Sequence, residues 1–204
     1  MAYIVGLITS DGCLSKDGRH LDFTSKDGDL LETFKTILGL KVKISYKTSG
    51  YNKKKCSYLQ FGDVVLYRWL ESIGLMPKKS KIIGDLKIPR KYFFDFLRGL
   101  FDGDGCFYSY WDKRWRSSFI FYLSFCSASK KFLEWLQKML FEYLEVRGDL
   151  KIRANIGDLI FAKKEGLKII KKMYYSRDVK CLARKKIKIK KALKECGINY
   201  NFLE

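Results

Sequence analysis

Residues 3–14 read YIVGLITSDGCL, and residues 96–107 read FLRGLFDGDGCF. The two stretches align without gaps and are identical at five positions, which pair Gly6 with Gly99, Leu7 with Leu100, Asp11 with Asp104, Gly12 with Gly105 and Cys13 with Cys106. One copy lies in each half of the 204-residue chain. A repeat of this kind predicts two similar half-domains related by a pseudo-two-fold axis, each giving one aspartate to a shared centre.

The charge of the chain points to a polyanionic partner. Lys and Arg number 41 against 22 Asp and Glu, a formal net charge of +19. Nucleic acid is the first candidate, and a merely solvated basic surface is the alternative. No apolar run is long enough for a membrane span, and no signal peptide is recognisable, so we expect an intracellular protein without a membrane partner. The six cysteines form no C-x-x-C pair and are expected to be reduced.

Other classes of site are disfavoured by what the chain contains. His20 is the only histidine, which argues against His-rich metal sites and a Ser-His-Asp triad. No phosphate-binding loop is present and no G-x-G-x-x-G follows a predicted strand, so no nucleotide cofactor or small-molecule substrate is expected.

The periodicity predicts the same order of elements in both halves, α-β-β-α-β-β-α, and hence an α+β fold. Each motif is read as a helix that ends at its Asp-Gly pair. The later elements of the first half are predicted at 13–15, 20–25, 29–38, 42–47, 56–61 and 64–73. Those of the second half are predicted at 106–112, 117–127, 129–144, 150–155, 159–162 and 165–175, with a last basic helix at 182–196. The predicted domains are 1–75 and 90–204, joined by a basic linker at 76–89.

The motif helices carry small residues four apart, Gly6 with Ser10 and Gly99 with Gly103. Small residues at this spacing allow two helix backbones to approach closely. If the helices pack through these faces, the carboxylates that end them meet and need a cation between them. Mg²⁺ suits such oxygen ligands and supports phosphodiester hydrolysis. The alternative is that each Asp-Gly pair is only a helix-ending turn.

The sequences IVGLITSDG (4–12) and LRGLFDGDG (97–105) resemble the motif of the LAGLIDADG homing endonucleases, in their monomeric two-motif form. The resemblance covers nearly the whole chain. It implies two saddle-shaped antiparallel sheets that straddle double-stranded DNA. It also implies cleavage of both strands across the minor groove, with a divalent metal and short 3′ overhangs. Mg²⁺ is the implied cofactor, for which Mn²⁺ can substitute.

The resemblance also implies roles for individual residues. Asp11 and Asp104 are implied metal ligands, and the carbonyl groups of Ser10 and Gly103 are implied additional ligands. The chain departs from the motif at its first aspartate, which is Thr9 in one copy and Asp102 in the other. That position is not usually the essential ligand, so activity is still expected.

The resemblance places supporting catalytic residues outside the motifs. Ser25 and Ser127 stand where the family often has a polar Gln, and each could hold a water molecule. Basic residues near each site are expected at Lys79 and Lys185, with Lys78 and Arg184 as neighbouring alternatives. Their role would be to stabilise charge or polarise water. An ordinary lysine contact to a DNA phosphate is the competing interpretation.

The strand faces that point away from the predicted core are expected to contact DNA. They carry the mixture of side chains that reads base edges in the major groove. In the first half these are His20, Asp22, Thr24, Lys41, Lys43, Ser45, Lys47, Tyr58 and Gln60. In the second half they are Tyr108, Tyr110, Arg116, Ser118, Tyr122, Ser124, Lys151, Arg153 and Asn155. Lys53, Lys54 and Lys55 are predicted to grip phosphates at a hairpin tip.

The sequence therefore predicts a site-specific DNA endonuclease that propagates an intron or intein and acts as a monomer. The halves differ in their hairpins, so a non-palindromic target is expected. A non-catalytic binder of the same fold, either an RNA maturase or a DNA-binding regulator, is the main alternative. A generic basic nucleic-acid-binding protein is the third.

Overall fold

A computed structural model of the protein describes residues 1–48, 55–115, 117–199 and 201–203. The chain forms two compact units, Met1–Gly103 and Asp104–Glu204. The division falls at the end of the second motif helix, because that helix packs on the first one. The predicted boundaries of 1–75, 76–89 and 90–204 place this helix with the second half instead, and they stay a prediction.

The first unit contains one motif, one sheet and then the second motif helix. Its elements are α1 (Ala2–Asp11), β1 (Gly12–Leu14), β2 (His20–Ser25), α2 (Gly28–Leu38), β3 (Ser45–Thr48), β4 (Lys55–Gly62), α3 (Val64–Ser72) and α4 (Phe93–Asp104). Two short 3₁₀ turns, Lys79–Lys81 and Arg90–Tyr92, lie between α3 and α4. The helix α4 ends at Asp104, the first residue of the second unit.

The second unit repeats the order of strands and helices. Its elements are β5 (Gly105–Trp111), β6 (Phe119–Ser127), α5 (Lys130–Leu144), β7 (Asp149–Ile152), β8 (Gly157–Ala162), α6 (Lys163–Met173), α7 (Ala183–Glu195) and a short 3₁₀ turn (Asn201–Leu203). Among the residues that the structure describes, no helix has the length and apolar character that crossing a membrane requires.

The two sheets have equivalent topologies. Each is antiparallel and four-stranded, in the order β1-β2-β4-β3 in the first unit and β5-β6-β8-β7 in the second. The predicted α+β class and the repeated αββαββα order are therefore confirmed. Paired residues of neighbouring strands share a face of the sheet, so the register decides which side chains lie together.

In each sheet, alternating apolar residues form one face, and helices cover that face. In β2, Leu21 and Phe23 are buried, whereas Asp22 and Thr24, which alternate with them, are only half-buried. Phe23 stacks on Phe34 of α2, with ring centroids 4.4 Å apart. The equivalent core of the second unit is formed by residues that alternate along β5, β6 and β8, namely Phe107, Phe121, Leu123, Phe125, Leu159 and Phe161.

Local signals set the helix ends. The carboxylate of Asp63 accepts a hydrogen bond from the backbone N–H of Leu66 (2.9 Å) and caps α3. The Ser129 hydroxyl accepts one from Phe132 at the start of α5. Gly39 ends α2 in the left-handed region, at φ 63°, where glycine is favoured.

Three of the predicted strand limits are wrong at positions that carry predicted site residues. The strand predicted at 42–47 begins only at Ser45, so Lys41 and Lys43 precede β3 and have no pairing partner in the sheet among the described residues. The strand predicted at 150–155 ends at Ile152, because residues 153–156 form the loop that reverses the chain into β8; Arg153 and Asn155 lie in that loop. Ser118 precedes β6, and its carbonyl accepts the Asp112 N–H at 2.8 Å.

Candidate functional site

The helices α1 and α4 cross at their glycines, where their backbones touch. A Cβ added to Gly6 would lie 2.5 Å from the backbone nitrogen of Leu100 and would also overlap the carbonyl oxygen of Phe96. A Cβ added to Gly99 would lie 3.1 Å from the Cα of Gly6 and would overlap the carbonyl of Tyr3. No side chain other than hydrogen fits either position without moving a helix.

One turn further on, the same crossing brings Gly103 against the end of α1. A Cβ on Gly103 would lie 2.6 Å from Cβ of Ser10 and 2.8 Å from Oδ2 of Asp11. The Ser10 hydroxyl donates to the carbonyl of Leu7 at 3.0 Å and so turns back into its own helix. Asp11 is half-buried as the last residue of α1. The missing side chain of Gly103 therefore leaves room for the Ser10 hydroxyl, which the Cβ would overlap first, and for the Asp11 carboxylate beside it.

Asp104 directly follows Gly103 and is exposed. Its backbone carbonyl accepts a hydrogen bond from the Sγ of Cys126, at 3.2 Å. Burial raises the pKa of the Cys126 thiol to about 11, and the negative charges of Asp104 and Asp158 add to the effect. This thiol is therefore a protonated donor at neutral pH, and it fixes the backbone at the end of the motif.

A buried lysine donates a hydrogen bond to the backbone of the glycine that follows each of these aspartates. Lys79 is 6% exposed, and its Nζ donates a hydrogen bond to the carbonyl of Gly12. Lys185 is 8% exposed, and its Nζ donates to the carbonyl of Gly105 at 2.6 Å. The neighbouring alternatives, Lys78 and Arg184, are exposed. Lys79 and Lys185 are thus the basic residues held at the ends of the motif helices.

The two serines predicted to support the sites are engaged in local turns. The Ser25 hydroxyl accepts the backbone N–H of Asp27 at 3.1 Å. The Ser127 hydroxyl accepts that of Ser129, also at 3.1 Å. In both units the serine thus joins the second strand of the sheet to the helix after it, which is a structural function in its own right.

Sequence reasoning missed a polar group inside the helix crossing. Asp102, the motif's first aspartate, is 1% exposed and accepts a hydrogen bond from the Tyr3 hydroxyl at 2.8 Å. The buried guanidinium of Arg98 lies 5.4 Å from the centre of the Tyr3 ring. Thr9, at the equivalent position of the first motif, donates instead to the carbonyl of Val5 at 2.8 Å. Both residues at this position therefore form hydrogen bonds to groups of the packed motif helices.

The open face of the first sheet gathers most of the predicted DNA-binding residues of that unit. Register places Asp22 beside Gln60, Thr24 beside Tyr58, and Tyr58 beside Ser45. The Nζ of Lys47 lies 5.0 Å from the centre of the Tyr58 ring. His20 shares this face, as does the exposed Cys13. The predicted hairpin-tip residues Lys53 and Lys54 lie outside the described residues, and for Lys55 only its place at the start of β4 is described.

His20 forms a hydrogen bond that the sequence did not indicate. Its Nδ1 lies 2.5 Å from Oδ2 of Asp17, in the turn between β1 and β2. Hydrogen bonds from the backbone N–H and ring of His20, and from the backbone of Arg19, lower the pKa of Asp17 to about 2. The pair borders a cleft of about 400 Å³ that is also lined by Gln60. The only available signal was Asp17 itself, a residue type that often accepts backbone hydrogen bonds in turns.

The open face of the second sheet is aromatic. Tyr122 stacks on Tyr108 and on Tyr110, with ring centroids 5.2 and 6.4 Å apart. Register places Lys151 beside Asp158 on this face. Ser124 shares the face but is 8% exposed, which leaves little of it for a ligand. Arg116 lies outside the described residues.

The residues at the motif ends fit a hard cation by their chemistry. Mg²⁺ is commonly held by one or two carboxylates, with water and substrate phosphate completing its octahedron. The half-buried Asp11 carboxylate beside the bare backbone of Gly103 supplies such oxygen donors. No cluster of three or more His, Cys, Asp or Glu side chains is present in the described parts of the chain.

Solved structures share this fold. Full-length DUF199/WhiA from Thermatoga maritima is 17% identical, with a TM-score of 0.61; the alignment covers 98% of this chain and 61% of that one. This chain therefore spans less than two thirds of that protein. The LAGLIDADG meganuclease I-AabMI bound to uncleaved DNA is 17% identical, with a TM-score of 0.61 and coverage of 96% and 88%. The homing endonuclease I-GzeII in complex with its DNA target is 14% identical, with a TM-score of 0.62 and coverage of 98% and 93%.

At these identities the likeness concerns the fold alone, and no curated protein sequence matches the chain. The sequence itself supplies the family. The model of the LAGLIDADG-like domain matches residues 1–74 and 93–158, which include both motifs and more than half of the chain. The chain belongs to the family of LAGLIDADG-like domains.

Proposed function

We propose that this protein is a site-specific DNA endonuclease that makes a staggered double-strand break with short 3′ overhangs during intron or intein homing. The observation that carries the proposal is the matched pair of motif ends. In each, an aspartate ends the motif helix, and a buried lysine holds the carbonyl of the next residue. A purely structural repeat has no need of two desolvated ammonium groups at these positions, because burying a charge is costly.

Asp11 and Asp104 are each proposed to bind divalent metal, with the carbonyl groups of Ser10 and Gly103 as additional donors. When bound, Mg²⁺ or Mn²⁺ supplies positive charge to the reacting phosphate and acidifies water. The carboxylate of Asp11 is pre-positioned by the space that Gly103 leaves. Such pre-organisation lowers the reorganisation that the chemical step would otherwise require.

Lys79 and Lys185 are proposed to have two functions. Each fixes the orientation of the peptide group that follows the aspartate, through its hydrogen bond to the glycine carbonyl. Each also brings a positive charge to the region where negative charge develops on phosphate. Low exposure strengthens this electrostatic effect, because little water screens the ammonium group.

The open faces of the two sheets are proposed to read the bases of double-stranded DNA. The first sheet offers separate polar groups such as Asp22 and Gln60, whereas the second offers stacked tyrosines. Two surfaces that differ in this way favour different half-sites, so the preferred target is long and non-palindromic, and the protein acts on it as a monomer. Preference for a perfect palindrome would contradict the proposal.

The test uses a duplex that joins the host sequences flanking the gene's mobile element. The protein is incubated with it in Mg²⁺ and in Ca²⁺, and the products are resolved by strand. A staggered cut in Mg²⁺ is expected. Asp11→Asn and Asp104→Asn should each lower cleavage by about 100-fold or more while binding is retained. Asp29→Asn, which alters an exposed acid at the start of α2, is the matched control. Full cleavage by either motif variant would refute the metal assignment.

A second candidate function is sequence-specific binding of DNA without cleavage. The turns at Ser25 and Ser127 favour it, because the hydroxyl groups predicted to support cleavage already accept backbone hydrogen bonds. In the same experiment, tight binding with no cut in either metal would support this candidate. Binding that is unaffected by Asp11→Asn would then be expected as well.

A further inference from the structure

Positive charge is distributed unevenly within the second unit. Residues 163–195 contain 14 Lys and Arg and only three Asp and Glu. The rest of that unit contains nine basic and eight acidic residues, and is therefore almost neutral. The sheet proposed to read DNA thus carries little of the excess charge, which lies instead on the segment that contains α6 and α7.

Ion pairs reinforce this contrast. Near the open face of the sheet, Lys151 pairs with Asp149 at 3.3 Å and Arg153 pairs with Asp158. On α5, Lys130 pairs with Glu134 at 3.4 Å, and Lys138 with Glu142 at 3.9 Å. In the described part of the chain, no ion pair involves Lys168, Lys188 or Lys191. The charges of these three lysines are therefore left for solvent or for an external polyanion.

Most basic residues of the two helices occupy the outer faces, and the buried Lys185 is the exception. On α6 the inner face is buried through Ile169, Ile170 and Met173, and on α7 through Ile189, Ala192 and Leu193. The exposed basic residues recur at helical spacing and are Lys164, Lys168, Lys171, Lys172, Arg184, Lys188, Lys191 and Lys194. This spacing places them in rows along the solvent side of each helix.

The helix α6 lies on the side of the sheet opposite the tyrosines. A Cβ on Gly166 of α6 would contact Phe121 and Leu123, which belong to the covered face. Lys163 at the start of α6 and Cys196 after the end of α7 both donate to the carbonyl of Phe119, at 3.0 and 3.7 Å. Both helices are therefore joined to the same carbonyl group of β6, and the basic outer face of α6 points away from the open sheet.

We propose that the outer faces of α6 and α7 form a second nucleic-acid-binding surface, which takes the phosphate backbone of a double-helical segment other than the one on the sheets. Seven of the eight exposed basic residues are lysines, which act as point charges toward phosphates rather than as bidentate readers of bases. Tyr175 is the one exposed aromatic residue described in this segment. Single strands are bound largely by aromatic stacking, so a duplex is the better match.

The experiment compares two variants of the full chain that lose the same charge. Lys168→Gln, Lys188→Gln and Lys191→Gln are combined in the test variant. Lys130→Gln, Lys131→Gln and Lys138→Gln are combined in the control, which alters α5. The probes are an arbitrary DNA duplex of about 20 base pairs and an RNA duplex of the same sequence, titrated over a range of salt concentrations. Urea unfolding checks that both variants are folded.

The test variant should bind one or both probes at least about tenfold more weakly, and the slope of log affinity against log salt should fall by about 2 to 3. The control should stay within about twofold of the unchanged protein. Loss confined to the RNA probe identifies the partner as RNA, and loss with DNA identifies it as DNA. Equal losses in both variants, or no loss in the test variant, would overturn the proposal.

This second surface goes beyond the proposed endonuclease function and can fail separately from it. If that function is correct, the test variant still cuts the junction duplex, because the sheets and the motif ends are unchanged. If the protein never cuts the junction duplex and the Lys168, Lys188 and Lys191 variant binds the probes more weakly, the endonuclease function is refuted and the second surface is supported.

Discussion

The ammonium group of Lys79 donates a hydrogen bond to the carbonyl oxygen of Gly12, the residue that follows Asp11. Lys185 makes the same bond to Gly105, the residue that follows Asp104. The two lysines lie 106 positions apart in the sequence, close to the separation of the two motifs, and each bonds to a glycine of its own unit. The repeat thus extends to an interaction between elements distant in sequence.

We predict that Lys79→Met lowers the cleavage rate by about 100-fold while changing DNA affinity less than about threefold, since the lost charge acts on the reacting phosphate. Methionine keeps most of the buried volume, so packing is preserved. Single-turnover cleavage and binding in Ca²⁺ measure the two quantities. Lys78→Met is the control, because that neighbouring side chain is exposed. A variant that cuts at the unchanged rate would show that Lys79 is only structural.

The glycine crossing gives a prediction about stability. Gly6→Ala and Gly99→Ala each place a methyl group against backbone atoms of the facing helix, and neither helix can yield locally. Each change should lower the free energy of unfolding by about 3 kcal/mol or more. Urea titration followed by circular dichroism measures it.

Gly28→Ala is the matched control for that comparison. A Cβ at Gly28 meets nothing within 4 Å, and the residue lies in the first turn of α2. Alanine is the better helix former, so this change should be neutral or stabilise by up to about 1 kcal/mol. Equal effects at positions 6 and 28 would contradict the close approach of α1 and α4.

Asp17 gives a prediction about pH. Its pKa falls from 3.8 to about 2 in the folded protein, chiefly through the backbone N–H and ring of His20. A lowered pKa means that the ionised carboxylate stabilises the fold above pH 3.8, and that this contribution is lost as the pH falls toward 2. Asp17→Asn should therefore be less stable than the unchanged protein at neutral pH, and the difference should shrink over that range.

Unfolding by urea at several pH values measures this difference, and Asp178→Asn, in an exposed loop, serves as control. A difference that stays constant from neutral pH down to pH 2 would contradict the low pKa of Asp17.

The cysteines offer a footprint of the proposed DNA-binding faces. Cys13 and Cys106 are exposed and lie on the open faces of their sheets, whereas Cys126 is half-buried with its pKa raised to about 11. The thiolate is the reactive form, so iodoacetamide near pH 8 should modify Cys13 and Cys106 well before Cys126. Bound target DNA should protect the first two from modification. Mass spectrometry of the labelled peptides gives the rates; unchanged labelling in the complex would show that DNA does not cover these faces.

Much of the fold followed from sequence because its signals are local. The alternation of Phe121, Leu123 and Phe125 indicates a strand with one buried face. The glycines of the motif helices indicate a close approach of two helix backbones. The limits of β3 and β7 did not follow, since a strand ends where its partner ends, and pairing is a property of the tertiary structure. For that reason the sequence pattern predicts Lys43 and Asn155 on strands, whereas the structure has both outside them.

The site was predicted unevenly for a similar reason. Asp11 and Asp104 stand out because they recur within a motif. The sequence does not distinguish Lys79 from Lys78, because adjacent lysines carry the same signal. The structure distinguishes them, since Lys79 is buried and Lys78 is exposed. The bond between Asp17 and His20 likewise depends on the conformation of one turn.

The stacked tyrosines of the second sheet have a thermodynamic consequence. Tyr122 is held between contacts with Tyr108 and Tyr110, so these rings have already lost much of their rotational freedom before any ligand arrives. Exposed lysines such as Lys47 keep more of theirs and must surrender it on binding. Association through the second sheet should therefore carry the smaller conformational-entropy penalty, and calorimetry on the two half-sites separately should find the less unfavourable entropy there.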